Sequence, residues 1–492
     1  MNRPNNLFFM LSLLVAFACG GARECRAMTL GYEYDIARGK VPRPATMRRV
    51  ADILSSLGYT QLQVYFKANF AYPEHPLVWK DGAYLTPEDV RAFDAYCKEK
   101  GLDLVPYQAG FGHLEPWMKH PEYLRYAEHP SGRFYCTKHD HEFGSMAVCP
   151  TKPESLDFLN GLFDVLLPCC SSKFVNLGCD EVWDLHATNG CSAAVLREKG
   201  IGRVYLDFVL KLNESMKRRG KTLMFWSDII RNYPELVKEL PADVVALDWN
   251  YEATAPFPQT TEALRNAPCR YYVCPGTSSW CSFFGRHANM RENVYQAYRS
   301  GTRNGAEGLL LTDWGDDGHP QPWLVSLPAL VYTSILVKTG VRPTDADVAA
   351  KVDEICGCKV GEYLIRLSNV YLKTYAPRDS NGTRLFWLAT RPTTFWKAYD
   401  NAAHLTQADY DASVVALREA AQCRDLAGAP GWVRDDVAVL DILVDFVARR
   451  VAGEKGPLGD RYREEYVTLW KRQNLPDGAD KSVDEVFGRL WP

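Results

Sequence analysis

Between residues 29 and about 340 the chain alternates short β-branched and aromatic runs with longer stretches whose apolar positions recur every three or four residues. The runs at 30–36, 61–66, 102–107, 174–177, 222–225, 244–247, 271–273 and 309–311 predict strands. The stretches at 45–57, 87–100, 153–167, 192–219, 289–300 and 322–338 predict helices. Eight strand-then-helix units in one run predict a parallel sheet. In about 310 residues they suit a (β/α)8 TIM barrel with insertions. A doubly wound open sheet is the competing architecture, but no Gly-rich phosphate loop follows the first strand. Past 341 the strand pattern stops and amphipathic stretches such as 410–423 and 433–451 take over. The predicted fold is therefore α/β: a leader (1–27), a barrel (28–340) and an all-α C-terminal domain (341–492).

A barrel of this kind carries its chemistry on the loops after the strands. Polar and aromatic residues gather there: Asp35 and Arg38, Lys67 and Asn69, Gln108 and His113, Asp180 and Glu181, Trp226 and Asp228, Trp249 and Tyr251, Ser279 and Trp280, Asp313 and Trp314. Trp follows four successive strands, and a flat apolar ring with one N–H suits the C–H face of a sugar. Core packing competes for each single Trp. The most pointed stretch is Phe174-Val175-Asn176-Leu177-Gly178-Cys179-Asp180-Glu181-Val182-Trp183, an apolar run ending in Gly and two adjacent carboxylates. Asp353-Glu354 and Asp484-Glu485 repeat the dipeptide in charged, helix-like surroundings.

A formal net charge of −3 leaves no electrostatic footprint for nucleic acid. Arg3, the apolar run 7–18 and Ala16-Phe17-Ala18 have the pattern of a secretory signal peptide, too short to span a bilayer. The chain is thus expected to be exported. Cys19 directly follows the small-residue site and is a candidate for a lipid anchor, although Ala16 stands where a lipoprotein signal usually has Leu. Fifteen Cys at irregular spacings make no disulfide framework, and most are expected to be buried small apolar residues, with room for one or two bridges. His139-Asp140-His141-Glu142 lacks the i, i+4 spacing of helical zinc sites and is expected to be solvated loop. Neither a metal nor a cofactor is expected. The helical domain offers surface for a homodimer, but no stripe specifies one.

The segment 176–185 resembles the signature of glycoside hydrolase family 20, the β-N-acetylhexosaminidases. Gly31-Tyr32-Glu33-Tyr34-Asp35-Ile36-Ala37-Arg38-Gly39, Gln108-Ala109-Gly110-Phe111-Gly112-His113-Leu114-Glu115, Trp226-Ser227-Asp228 and Thr312-Asp313-Trp314-Gly315-Asp316 are similar to other strand ends of that family. The branch that looks nearest contains hexosaminidase D and bacterial relatives with a helical C-terminal domain. The resemblance implies an exo-acting retaining enzyme on glycans ending in N-acetylhexosamine. Glu181 would be general acid and base. Asp180 would hold the substrate's 2-acetamido group, whose oxygen attacks the anomeric carbon to form an oxazolinium. Tyr251 would donate to that oxygen. Arg38 and Asp35 would bind sugar hydroxyls, Trp226, Trp249, Trp280 and Trp314 would wall the pocket, and His113, Asp228 and Asp313 would be further polar contacts. The chain departs from the family where many members have His-x-Gly-Gly before Asp-Glu, and after the seventh strand, where Ser278-Ser279-Trp280-Cys281 replaces a common Tyr. Other readings are a non-catalytic sugar-binding relative, or a β-glycosidase that needs no acetamido group.

Overall fold

The computed structural model describes residues 28–375, 381–391, 405–454 and 460–487. The leader and Cys19 lie outside these residues. Among the described residues there are ten strands: β1 (Thr29–Asp35), β2 (Gln61–Tyr65), β3 (Asp103–Tyr107), β4 (Arg133–Cys136), β5 (His141–Gly144), β6 (Phe174–Asn176), β7 (Thr222–Trp226), β8 (Val245–Trp249), β9 (Arg270–Cys274) and β10 (Gly308–Asp313). Eight of them close into one barrel in the order β1-β2-β3-β6-β7-β8-β9-β10. Closure is made by β1, which runs parallel to both β2 (Gly31 opposite Gln61) and β10 (Thr29 opposite Gly308). Their residues are buried almost throughout, as strands covered on both faces must be.

The two remaining strands pair as an antiparallel hairpin between β3 and β6. Sequence patterning misses it because each strand is only four residues long and largely exposed. His139 and Asp140 form its turn, and His141 and Glu142 lie on β5, so the expected solvated loop is half strand. A second difference concerns 192–219, which is two helices, Ala193–Lys199 and Ile201–Arg218. They meet at Gly200, whose φ of +78° breaks the helix.

Beneath the C-terminal mouth the barrel interior is polar and bonded. Gln63 Nε2 donates to Gln61 Oε1 (3.0 Å), and Asn176 Nδ2 donates to Gln63 Oε1 (3.0 Å). The Asn176 carboxamide oxygen then accepts from the Gly178 N–H (2.9 Å) and bends the chain as it leaves β6. Past the barrel, helices such as Asp345–Cys356, Gly361–Asn369, Gln407–Ala420 and Gly431–Val451 extend the same apolar core. Phe283, after β9, packs on Phe386 (5.1 Å between rings) and on Phe446 (5.8 Å). Among the described residues all thirteen cysteines are free thiols, and all but Cys191 and Cys423 are buried.

The loop after β3 packs so closely on the turn after β6 that a Cβ on Gly112 would lie 2.7 Å from the Asp180 carbonyl oxygen. That atom is backbone and cannot swing aside. Gly112→Ala is expected to destabilise the protein by about 1–3 kcal/mol. Gly144→Ala, where the nearest atom is 3.9 Å away, should melt close to wild type. Thermal unfolding of both variants checks the pair.

Candidate active site

The turn that ends β6 presents the two adjacent carboxylates. Gly178 (φ +66°), Cys179 (φ +69°) and Glu181 (φ +47°) are all left-handed. Such conformations cost non-Gly residues energy and cluster at functional sites. They send Asp180 inward, 9% exposed, and leave the Glu181 side chain about a third exposed at the mouth. His113, from the β3 loop and itself left-handed, reaches both: Nε2 is 3.2 Å from Asp180 Oδ2 and 3.5 Å from Glu181 Oε2. Burial pulls the imidazole pKa down, but the Asp180 charge and the hydrogen bonds to both carboxylates outweigh it and lift it to about 10.

Asp228, after β7, lies behind this pair. Its Oδ2 accepts from the Glu181 N–H (3.3 Å), and its Oδ1 is buried with no hydrogen-bond partner. Burial, together with the neighbouring charges of Asp180 and Glu181, raises it to about 7. His113, Asp180 and Glu181 could also hold a cation, since each offers a ligand atom within 4.8 Å of the others. A metal needs a neutral imidazole. An imidazole held protonated to about pH 10 instead favours an ion-paired acid cluster.

Across the mouth, Asp35 joins the first and last strands. Its Oδ1 accepts from Ala37 N–H (2.7 Å), and its Oδ2 accepts from Gly315 N–H (3.0 Å) and Arg38 Nε (3.1 Å). The far end of the Arg38 guanidinium meets Asp316 Oδ1 (3.0 Å). Lys67, after β2, pairs with Glu115, after His113, and this ion pair holds Glu115 down to about 2 against its burial.

The aromatic side is a connected stack. Tyr65 and Tyr107, opposite one another at the ends of β2 and β3, lie 3.9 Å apart face to face. Trp314 stands edge-on to both, and its Nε1 donates to the Tyr251 hydroxyl (2.9 Å). Tyr251 stacks on Trp249 (5.1 Å) and meets the edge of Trp280 (4.9 Å). Burial keeps its phenol protonated, and accepting from Trp314 leaves its own proton for another acceptor.

Most residues named from the sequence are therefore gathered at one mouth: Asp35, Arg38, His113, Asp180, Glu181, Asp228, Trp249, Tyr251, Trp280 and Trp314. Two are fully enclosed. Trp226 is buried, spends its N–H on Tyr107 (2.9 Å) and packs against Trp314 (5.7 Å between rings). Asp313 is 2% exposed and caged by hydroxyls, Oδ1 accepting from Thr277, Ser279 and Ser326 and Oδ2 from Tyr32. Sequence reasoning gave no role to Tyr65, Tyr107, Glu115 or Asp316, and named Lys67 only as a polar residue after the second strand. The signal for the two tyrosines was their shared position as the last residue of neighbouring strands.

Residues 61–300 match the family model described as glycosyl hydrolase family 20, catalytic domain. Human (Homo sapiens) hexosaminidase D is 23% identical over 347 residues, which cover 65% of this chain and 67% of the human protein. The fold is similar to a crystal structure of a β-N-acetylhexosaminidase, with a TM-score of 0.52 at 16% identity over 68% of this chain and 76% of the other. It is also similar to the Flavobacterium johnsoniae chitobiase, with a TM-score of 0.53 at 14% identity over 93% of this chain and 77% of that one. The family match opens on β2 and ends in the helix before β10, taking in the loops that carry His113, Asp180, Glu181, Asp228 and Tyr251, and the chain is a glycoside hydrolase whose barrel is similar to the catalytic domain of family 20.

Proposed function

We propose that the protein is an exo-acting β-N-acetylhexosaminidase that removes terminal β-linked N-acetylglucosamine or N-acetylgalactosamine with retention, the substrate's own acetamide serving as nucleophile. The observation that carries this reading is that Asp180 and Glu181 leave one turn and share one imidazole. The usual retaining pair flanks the scissile bond from opposite sides, with one carboxylate as nucleophile. Two carboxylates on the same turn can instead serve the leaving oxygen and the acetamide together. The similarity to hexosaminidase D supports the substrate class.

Glu181, the more exposed carboxyl, gives its proton to the glycosidic oxygen as that bond breaks. The acetamide oxygen forms a bond to the anomeric carbon, yielding an oxazolinium and a free alcohol. Asp180 accepts from the acetamide N–H and balances the positive charge. Tyr251 donates to the acetamide oxygen, and Trp249, Trp280 and Trp314 wall the methyl group. Arg38 and Asp35 hold hydroxyls at the closed end. The Glu181 carboxylate then takes a proton from water, whose oxygen adds to the anomeric carbon on the face the alcohol left as the bond from that carbon to the acetamide oxygen breaks and the neutral acetamide is restored. Holding the internal nucleophile in place contributes on the order of 7–11 kcal/mol at best. A second reading, with Asp180 itself as nucleophile, draws on the short separation of the two carboxylates, under 4.8 Å between one oxygen of each.

Nitrophenyl β-N-acetylglucosaminide and β-N-acetylgalactosaminide, run beside the plain β-glucoside and β-galactoside, separate the two readings. Release is expected only from the acetamido sugars, and Glu181→Gln should lower kcat by about 100-fold or more. Equal release from the plain glycosides would point to Asp180 as nucleophile. No release from any of them would sink both readings in favour of a binding protein.

The pairing of His113 with the two carboxylates also sets a pH dependence. A His113 pKa raised from 6.5 to about 10 makes its stabilisation complete below 6.5 and progressively lost as pH climbs through 10. The melting-temperature gap between wild type and His113→Gln should thus be widest near pH 6 and close towards pH 10. A gap that widens with pH contradicts the ion pairing.

The reading includes export through the leader at 1–27, with Cys19 as the candidate lipid site. Mass spectrometry of the mature N-terminus is expected to find a chain starting at or after Cys19. An intact Met1 contradicts export.

A further inference from the structure

The loop after β10 carries Asp316, the partner of Arg38, and its backbone is held in an uncommon shape. Asp317 (φ +56°) and His319 (φ +48°) are left-handed, as is Cys281 (φ +46°) in the facing loop after β9. None of the three is Gly, so the surroundings must enforce the conformation. What surrounds the loop on its outer side is the helical region. Ser482 Oγ donates to the Gly318 carbonyl, and the Tyr466 hydroxyl donates to the Pro320 carbonyl (2.9 Å). Arg391 pairs with Asp317, whose second oxygen accepts from Cys281 Sγ (3.4 Å). Thr383 N–H donates to the Cys281 carbonyl (3.0 Å), and Asp436 Oδ2 accepts from Leu324 N–H (3.2 Å).

On its inner side the same loop is fastened to the sugar-binding end. Gly315 N–H reaches Asp35, Asp316 reaches Arg38, and Lys40 Nζ donates to the His319 (3.2 Å) and Gln321 (2.5 Å) carbonyls. The loop is thus strung between two sets of hydrogen bonds, one belonging to the barrel mouth and one to the helices. Tyr466 and Ser482 are fully buried where they meet it, so water does not replace their hydroxyls if these are removed.

We infer that the C-terminal helices clamp the β10 loop and thereby set the Arg38–Asp316 geometry, which makes Tyr466, Ser482 and Arg391 positioning residues for the terminal sugar. The inference rests on the glycosidase reading, with Arg38 as a hydroxyl ligand. The clamp acts on the Arg38–Asp316 pair, whose bonds run to Asp35 and the β10 loop rather than to His113, Asp180 or Glu181. Loosening it weakens binding of ground state and transition state alike, which raises KM and leaves kcat in place.

The test uses the full-length protein and nitrophenyl β-N-acetylglucosaminide. Tyr466→Phe with Ser482→Ala, and separately Arg391→Gln, are expected to raise KM by about tenfold with kcat within about twofold and an unchanged pH profile. Arg391→Lys should recover most of the loss. Calorimetric binding of N-acetylglucosamine gives the same comparison without turnover, and thermal melting verifies folding. Folded variants with unaltered KM overturn the clamp, as does a parallel fall of kcat and melting temperature with KM unmoved. Arg38→Ala separates the two levels of the argument. If it raises KM and the clamp variants do not, the clamp fails alone; if it too leaves KM unmoved, the assignment of the sugar-binding end fails.

Discussion

The site depends on one backbone turn. The Asn176 side chain ends β6 by accepting from the Gly178 N–H, and Gly178 then enters the left-handed region, where glycine has no Cβ to clash. Cys179 and Glu181 follow it at positive φ without that freedom. Their strain is sustained because Gly112 packs against the Asp180 carbonyl, His113 bridges the two side chains and Asp228 holds the Glu181 N–H. The restraints come from two other strand ends, β3 for Gly112 and His113 and β7 for Asp228, so the closed barrel is what lets all of them act on one turn.

A second constraint is charge. Asp35, Glu115, Asp180, Glu181, Asp228 and Asp316 converge on one mouth, where low polarity strengthens repulsion between them. Three cations answer them: Arg38 between Asp35 and Asp316, His113 between Asp180 and Glu181, and Lys67 against Glu115. Asp228 is buried behind Asp180 and Glu181, and that burial, with their charges, raises it to about 7 against the opposing pull of Arg231. A carboxyl that holds a proton near neutrality beside two others eases the crowding that would otherwise spread the turn apart.

Much of this was legible from the chain because period and punctuation agree. Each barrel strand is a short apolar run followed by a polar or aromatic cluster, and the predicted ends fall within two residues of the observed ones. Direction was not legible. Asp313 and Trp314 are neighbours, yet successive strand residues face opposite sides, and one enters a hydroxyl cage while the other lines the aromatic stack. Trp226 was read as a wall, and it packs against Tyr107 and Trp314, in a stack whose Tyr65–Tyr107 pair depends on register between β2 and β3. Asp316 was quoted only as part of a motif, since its partner Arg38 is far away in sequence.

The helical region bears on a general difficulty of closed barrels. A loop after an inner strand leans on the next strand-helix unit along the chain. The loop after β10 has no following unit, because its neighbour is β1, made long before. It also carries a carboxylate that must meet an arginine from that first unit. Here the chain continues past the barrel and returns to the same loop with Tyr466, Ser482 and Asp436. Their hydrogen bonds supply from outside the support that the missing unit would have given. The apolar core follows the same course, passing from Phe283 beside β9 to Phe386 and Phe446 without a seam. Barrel and helices thus act as one frame around the mouth, and the place where they meet is the end of the pocket at which Arg38 stands.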